Sequence, residues 1–128
     1  MNKLIIDVAG KNFFFMLITS NDIYNITKEN TKINYEKLTL IISNFLNSQD
    51  LELRDISTIY VNRGPGSFAG IRNSLSVVKA FNVTRKIDYY CYSLDDFKHK
   101  KDIKYQDIPN LCDKFKIKKN LIKPIYLS

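Results

Sequence analysis

Residues 59–81 read IYVNRGPGSFAGIRNSLSVVKAF and place three glycines and a proline between an apolar run and a run with helical spacing. Glycine lets two backbones approach closely, and proline stiffens a turn. The spacing does not fit a P-loop, which has four residues between its glycines and then Lys and Ser or Thr. Nor does it fit the G-x-G-x-x-G dinucleotide fingerprint. We therefore interpret the glycines as a corner that joins a strand to a helix.

The residues of this glycine corner are Gly64, Pro65, Gly66, Ser67 and Gly70. Gly64 and Gly66 allow backbone angles that other residues avoid, and Ser67 is predicted to cap the following helix through its hydroxyl. Helix N-termini also bind anions, so a phosphate at this corner is compatible with the sequence without being required by it.

The helix after the corner is predicted to run from Ser67 to Val83, and its apolar and small residues cover an arc of about 180°. A helix that lies on one sheet needs an apolar stripe of only about 100°. The excess, with Gly70 and Ser74 four residues apart, indicates a second packing surface. Another helix of the chain, a partner protein, or both would fill it.

The other apolar runs predict strands and one more long helix. Strands are predicted at residues 4–8, 13–18, 23–27, 56–61 and 88–92. A helix is predicted from Asn34, as N-cap, to Leu46, with Leu40 alone outside its apolar arc of about 140°. A short helix is expected to start at Ser93.

The predicted order βββαβαβ defines an α/β fold. Three strands joined by tight turns form an antiparallel meander, and the two helical crossovers require parallel strands. The result is a mixed five-stranded sheet with helices packed on it. This is the ribonuclease-H-like lobe, which is also half of an actin-like ATPase fold. The pattern leaves open what shields the far edge of the fifth strand and the second face of the sheet.

Composition fits one globular domain in a reducing compartment. The chain has 128 residues, with 45% hydrophobic and 26% charged residues. It has no apolar run of about 20 residues and no signal-peptide pattern at its start, so we expect a cytoplasmic protein without a membrane span. Cys91 and Cys112 give neither a disulfide framework nor a metal spacing, and we expect His99, among lysines, to be solvated.

The formal charge of +7 is concentrated near the C-terminus. Residues 1–97 hold 11 Lys and Arg against 10 Asp and Glu, whereas residues 98–128 hold nine Lys against three Asp. A basic segment can contact RNA or an acidic protein; the alternative is a solvated, partly disordered connector. Sixteen lysines against four arginines favour a compositional bias over phosphate recognition. The candidate contacts are Lys98, Lys100, Lys101, Lys104, Lys114, Lys116, Lys118 and Lys119.

The segment NRGPGSFAGIRNSLSVVKAF, residues 62–81, resembles the GRGPGSFTGLR motif and small-residue helix of TsaB, the YeaZ-like, glycoprotease-related family. The likeness extends to the first strand at residues 4–7, the helix at 34–46, the segment 92–95 and the ending at 124–127. It therefore covers most of residues 1–97, which we interpret as a TsaB-like N-terminal lobe.

The chain departs from the family at several places. Val8 and Ala9 replace a Thr-Ser pair, Asn34 stands where the family often has His, and Ser128 replaces a final Arg. Family members continue for about a hundred residues in a second lobe. Here the basic segment 98–128 stands in its place, so the resemblance implies a truncated member.

The resemblance implies a scaffold that carries no catalytic residue, metal or cofactor of its own. TsaB pairs with the related subunit TsaD, which transfers a threonylcarbamoyl group to an adenosine of tRNA, and the ATPase TsaE assists the pair. TsaB contacts TsaD through two helices, and tRNA indirectly through the complex. The matching interface residues are Tyr35, Leu38, Thr39, Ile42, Arg72, Asn73, Ser76 and Lys79. For the apolar ones, packing in the chain's own core is an equal alternative.

Two other interpretations stay open. The chain could be an actin-like phosphotransferase or ATPase in its own right, with Asp7 at the end of the first strand positioning a metal-bound water. Against this, the nucleotide of that fold sits between two lobes, and a strand-ending turn residue is the favoured explanation of Asp7. Without TsaD, the two apolar helices could also pair with a second copy of the chain.

Overall fold

Five strands form one mixed sheet in the order β3-β2-β1-β4-β5 in the computed structural model, which describes residues 1–98 and 100–125. Their bounds are β1 Asn2–Asp7, β2 Asn12–Ile18, β3 Ile23–Glu29, β4 Ile56–Asn62 and β5 Asp88–Tyr92. Strand β2 is antiparallel to β1 and β3, and β4 is parallel to β1 and β5. The predicted meander and the two parallel crossovers are confirmed.

Three helices pack on one face of this sheet: α1 Lys32–Glu36, α2 Leu38–Asn47 and α3 Phe68–Arg85. Alternate strand residues such as Leu4, Ile6 and Phe15 point at these helices and are fully buried. We call this the helical face. Its core is mostly aliphatic, and it forms where alternate residues of β1, β2 and β4 face this side and pack against α2 and α3.

The predicted start of the first helix, at Asn34, is wrong. Thr31 is the N-cap, because its hydroxyl accepts the N–H of Asn34 at 3.2 Å, while the Asn34 side chain donates to the carbonyl of Glu29 at 2.6 Å. The helix is also interrupted at Lys37, which divides it into α1 and α2. Helix α3 begins as predicted, with the Ser67 hydroxyl accepting the Gly70 N–H at 3.3 Å.

The opposite face of the sheet is covered by residues 100–118, which we call the cover. It contains α4 Ile108–Lys114, and its buried residues Ile108, Leu111 and Cys112 pack on Ile5 of the sheet. The other buried members of this cluster are Met16, Tyr60, Tyr92 and Phe97. The alternative of a solvated, partly disordered connector is therefore wrong for the described part of this segment.

Residues 119–125, which we call the strap, run beside the outer edge of β5. The backbone N–H of Asn120 donates to the carbonyl of Tyr89 at 2.7 Å, and that of Ile125 donates to the carbonyl of Arg63 at 2.7 Å. The bond to Tyr89 occupies part of the β5 edge, which would otherwise be free to pair with another chain. The expectations for His99 and for residues 126–128 lie outside the described residues.

Candidate partner interface

The glycine corner brings the start of α3 into direct contact with the end of β1. A β-carbon built on Gly70 would collide with the carbonyl oxygen of Val8, and one built on Gly66 with that of Ala9. At Gly64 the constraint is conformational as well, since its φ is 107°. The corner therefore serves backbone packing, and at Gly66 the reason is close approach rather than an unusual φ.

Tyr35, a predicted interface residue, joins α1 to this corner. Its hydroxyl lies 3.1 Å from the Ser67 hydroxyl, and its ring packs on Phe13 with the centroids 5.2 Å apart. The side chain is half-buried. Tyr35 therefore helps to position α3 within its own chain.

The two aliphatic residues predicted at the interface lie in the core. Leu38 is 2% exposed and Ile42 is 1% exposed, and both belong to the cluster on the helical face. The structure thus places both in the position of the core-packing alternative, although Ile42 also borders a groove.

That groove runs between α2 and the C-terminal half of α3, and we call it the α2–α3 groove. Thr39 and Ile42 line it from α2, and Ala80 and Thr84 line it from α3. At one end lies an exposed ion pair, in which Arg54 and Glu52 are 2.8 Å apart. Of the predicted interface residues, only Thr39 and Ile42 contribute here.

A second groove lies on the other side of α3, and we call it the α3–strap groove. Arg72, Ser76 and Lys79 line it from α3, and Ile122 and Pro124 line it from the strap. Ala80 and Thr84 line both grooves, so this part of α3 forms a ridge between them. Asn73, the remaining predicted residue, is half-buried and lines neither groove.

Apolar side chains are exposed on the same helices. Phe68 is 53% exposed and Val83 is 64% exposed on α3, and Leu40 is 53% exposed on α2. Sequence patterning did not select them as interface residues. For Leu40 a signal was present, because it alone fell outside the apolar arc of its helix.

Asp7, the candidate for an enzymatic role, is held by donors of its own chain. One carboxylate oxygen accepts the N–H of Ala9 at 3.1 Å; the other accepts the amide of Asn62 at 3.1 Å and the hydroxyl of Tyr105 at 2.8 Å. Burial, together with the Asp7 carboxylate, raises the pKa of Tyr105, so the phenol remains a donor at neutral pH. Tyr105 comes from the cover, and nothing in the sequence linked it to Asp7.

Two further features bear on function. Within residues 1–98 and 100–125, no three His, Cys, Asp or Glu side chains lie close enough together to hold a metal ion. In the same part of the chain, no helix is both long and apolar enough to cross a membrane.

Comparison with known proteins identifies related sequences and structures. The family model described as TsaD, tRNA N6-adenosine threonylcarbamoyltransferase, matches residues 28–93, just over half of the chain. YeaZ from Pseudomonas aeruginosa has 18% identity and a TM-score of 0.66, over 72% of this chain and 43% of that one. A comparison with curated protein sequences found no match.

A second solved structure has a similar fold. It is an uncharacterized protein from Pseudomonas aeruginosa with similarity to peptidase YeaZ, with 17% identity and a TM-score of 0.67. It is matched over 79% of this chain and 49% of its own length. This chain therefore spans less than half the length of either of these structures. At this identity the likeness establishes a shared fold, the ribonuclease-H-like lobe expected from the order of strands and helices.

Proposed function

We propose a function from one premise, that this chain belongs to the TsaD family, the family of tRNA N6-adenosine threonylcarbamoyltransferase. The match includes the glycine corner, so the family resemblance drawn from that motif is confirmed. Within the family we assign the chain to the YeaZ-like, TsaB type. Its role is that of a scaffold in the threonylcarbamoylation of a tRNA adenosine, with binding to a TsaD-like subunit as its activity.

The exposed apolar surface of α2 and α3 is the observation that carries this proposal. Leu40, Phe68 and Val83 are each more than half exposed. Two of them lie on the helix that carries the family motif. Exposed apolar side chains are candidates for protein contact, and these three lie on the two helices that the family resemblance assigns to the interface. Two grooves flank α3 and give this surface concave regions that can receive the side chains of a partner.

The state of Asp7 supports a scaffold over an enzyme. Both of its carboxylate oxygens accept hydrogen bonds from the chain itself, and Tyr105 of the cover stands over it. The Tyr105 ring also stacks on Phe14, with the centroids 4.0 Å apart. A nucleotide or metal-bound water at this carboxylate would have to compete with these donors of the chain itself. We therefore propose that the chain catalyses no transfer itself.

The remaining partners follow from the same role. A TsaE-like ATPase would act on the assembled pair, and tRNA would be contacted through the complex in the cytoplasm. Pairing of two copies through the same helices is the competing assembly.

Co-purification with the TsaD subunit of the same organism tests the scaffold role. Ser76 is exposed, and Ser76→Arg would place a long side chain in the α3–strap groove. We expect this variant to lose most of the complex on size-exclusion chromatography. Ser20→Arg makes the same change at an exposed turn remote from α3 and should keep it. Absence of a wild-type complex with TsaD would refute the proposal.

Measurement of ATP turnover on the isolated protein tests the enzymatic alternative. We expect no turnover above the buffer rate, for the wild type and for Asp7→Asn alike. Turnover that is present in the wild type and abolished by Asp7→Asn would replace the scaffold with an enzyme.

A further inference from the structure

Basic and acidic residues nearly balance over residues 1–97, but they are unevenly distributed between the helices and the rest of this lobe. The stretches 31–48 and 67–87, which contain α1 to α3, carry six basic residues and one acid: Lys32, Lys37, Arg72, Lys79, Arg85 and Lys86 against Glu36. The rest of residues 1–97 carries five basic residues against nine acids. The helices that expose apolar side chains are therefore also the basic part of the lobe.

The α3–strap groove combines these two properties. Arg72, Lys79 and Val83 are exposed and lie on one stripe of α3, because they are 7 and 4 residues apart. Among the described residues, neither Arg72 nor Lys79 forms an ion pair with a carboxylate, and no acidic residue lines this groove. The Arg72 guanidinium lies 6.0 Å from the centroid of the Phe68 ring at the start of the same stripe.

The strap forms one wall of the groove, and contacts with the rest of the chain hold it in place. Arg63 anchors it, because its guanidinium donates to the carbonyl of Lys123 at 3.1 Å while forming an ion pair with Asp96 at 2.7 Å. The carbonyl of Ile125 occupies the space where Gly64 has no side chain. Ile122 and Pro124 are thereby held opposite Val83.

We propose that the α3–strap groove receives an apolar helix flanked by carboxylates, contributed by the TsaD-like partner. Apolar side chains of that helix would pack on Val83 and Ile122, and its carboxylates would pair with Arg72 and Lys79. The part of α3 that lines the groove, from Arg72 to Thr84, is about 18 Å long at 1.5 Å per residue, so it offers about three turns of contact. This inference rests on the proposed function and adds the partner's chemistry and the strap as half of its site.

The same charges disfavour a second copy as the occupant. A two-fold contact places the same patch of both copies together. Arg72 and Lys79 would then face like charges, with no acid from the groove to compensate them. A partner with carboxylates has the complementary pattern.

Binding of purified TsaD subunit, measured by calorimetry at 50 and 500 mM NaCl, tests the inference. Arg72→Glu with Lys79→Glu should weaken binding at least about tenfold at low salt, and by less at high salt, because exposed charges are screened. Lys11→Glu with Lys28→Glu is the control; it makes the same charge change at exposed positions on the meander and should bind like the wild type. Ile122→Asp tests the strap and should weaken binding about tenfold at both salt concentrations.

The outcomes separate this inference from the function on which it rests. If the wild type does not bind TsaD, both fall. If the wild type and both charge variants bind equally, while Thr39→Arg in the α2–α3 groove abolishes binding, the scaffold role stands and the α3–strap groove is not its site. Sedimentation of the wild type alone as a dimer that Ile122→Asp dissociates would also overturn the inference.

Discussion

The helical face and the cover close the two sides of one sheet with different chemistry. Beneath the helices the core is mainly Leu, Ile and Val, whereas beneath the cover Tyr60, Tyr92 and Phe97 form much of the cluster. The outer surfaces of the helices and of the cover differ more than their cores do. The helices expose Phe68 and Val83, whereas the cover exposes lysines.

The cover and the helices therefore differ in role: the cover shields the sheet from solvent, whereas the helices also present apolar side chains at the surface. The lysines of the cover are exposed to solvent. Its apolar side chains are buried or half-buried against the sheet. The helical face buries Leu38 and Ile42 inward and still presents apolar groups outward. The cover thus shields one face of the sheet, whereas the helices on the other face expose apolar side chains on the element that carries the family motif.

The largest expected effect concerns the corner that sets α3 on the helical face. Gly70→Val should lower the free energy of unfolding by at least about 4 kcal/mol, since the obstacle is the Val8 backbone and cannot rotate away. This exceeds the gain of about 1 kcal/mol from replacing a helical glycine. Urea unfolding measures it. The control, Gly10→Val, meets no atom within 4 Å and should change stability by about 0.5 kcal/mol or less. Equal stability of the two variants would contradict the packing role of the corner.

The next effect tests the cover as structure rather than as a docking surface. Leu111 is 4% exposed, and Leu111→Ala should lower the free energy of unfolding by about 2 to 4 kcal/mol through the cavity it leaves. Affinity for the TsaD subunit, measured on folded protein, should not change. The control is Asn110→Ala at the exposed neighbouring position. A stable Leu111→Ala variant that no longer binds TsaD would assign the docking role to the cover.

High pH should destabilise both faces through their thiols. Burial raises the pKa of Cys91 beneath the helices and of Cys112 beneath the cover, each to about 12 from an ordinary value near 9. Between these values the unfolded chain releases protons that the folded chain retains, so stability falls as pH rises from about 9. By pH 10 the loss is on the order of 1 kcal/mol per thiol.

Urea unfolding at pH 7, 9 and 10 measures this loss. Cys112→Ala should show a shallower decline than the wild type, and Cys91→Ala likewise. Neither thiol should react with a maleimide at pH 8 in the folded protein. Rapid labelling of either cysteine would show that its face opens.

The smallest effect concerns the contact between the cover and β1. Tyr105→Phe removes the hydrogen bond to Asp7 and keeps the stack on Phe14. The free energy of unfolding should therefore fall by about 1 kcal/mol. Thermal unfolding measures it. Tyr24→Phe, at a tyrosine on the meander that bonds Asp22, is the control and should give no measurable change. A loss of partner binding in Tyr105→Phe would indicate that the Asp7 region contributes to the interface.

Local patterns were sufficient for most of the lobe. Short apolar runs bounded by turn residues predicted all five strands, and Ser67 was predicted correctly as the cap of α3, since strand and cap signals depend on neighbouring residues. Asn34 was a wrong cap because Thr31, three residues earlier, offers its hydroxyl to the same helix start. Both residue types are good caps, and only the fold selects between them.

The candidate site was less predictable. Periodicity marks a residue as apolar and on a helix, but it cannot distinguish the side that packs on the sheet from the side that faces a partner. Leu38 and Ile42 were therefore predicted at the interface and lie in the core. Arg72, Ser76 and Lys79 share one groove as a helical stripe suggests, but their opposite wall, Ile122, comes from a distant segment.

The sequence by itself determined the order of elements along the chain and the glycine corner, because these depend on short-range spacing, and the motif at that corner carried the family resemblance. Tertiary structure alone decided that the C-terminal residues form a cover and a strap, that Tyr105 reaches Asp7, and that α3 stands between two grooves. Each of these joins residues far apart in the chain: 98 positions separate Tyr105 from Asp7 and 60 separate Lys123 from Arg63. Such contacts are stabilised because they remove apolar surface of the sheet from water. No local sequence pattern predicts them.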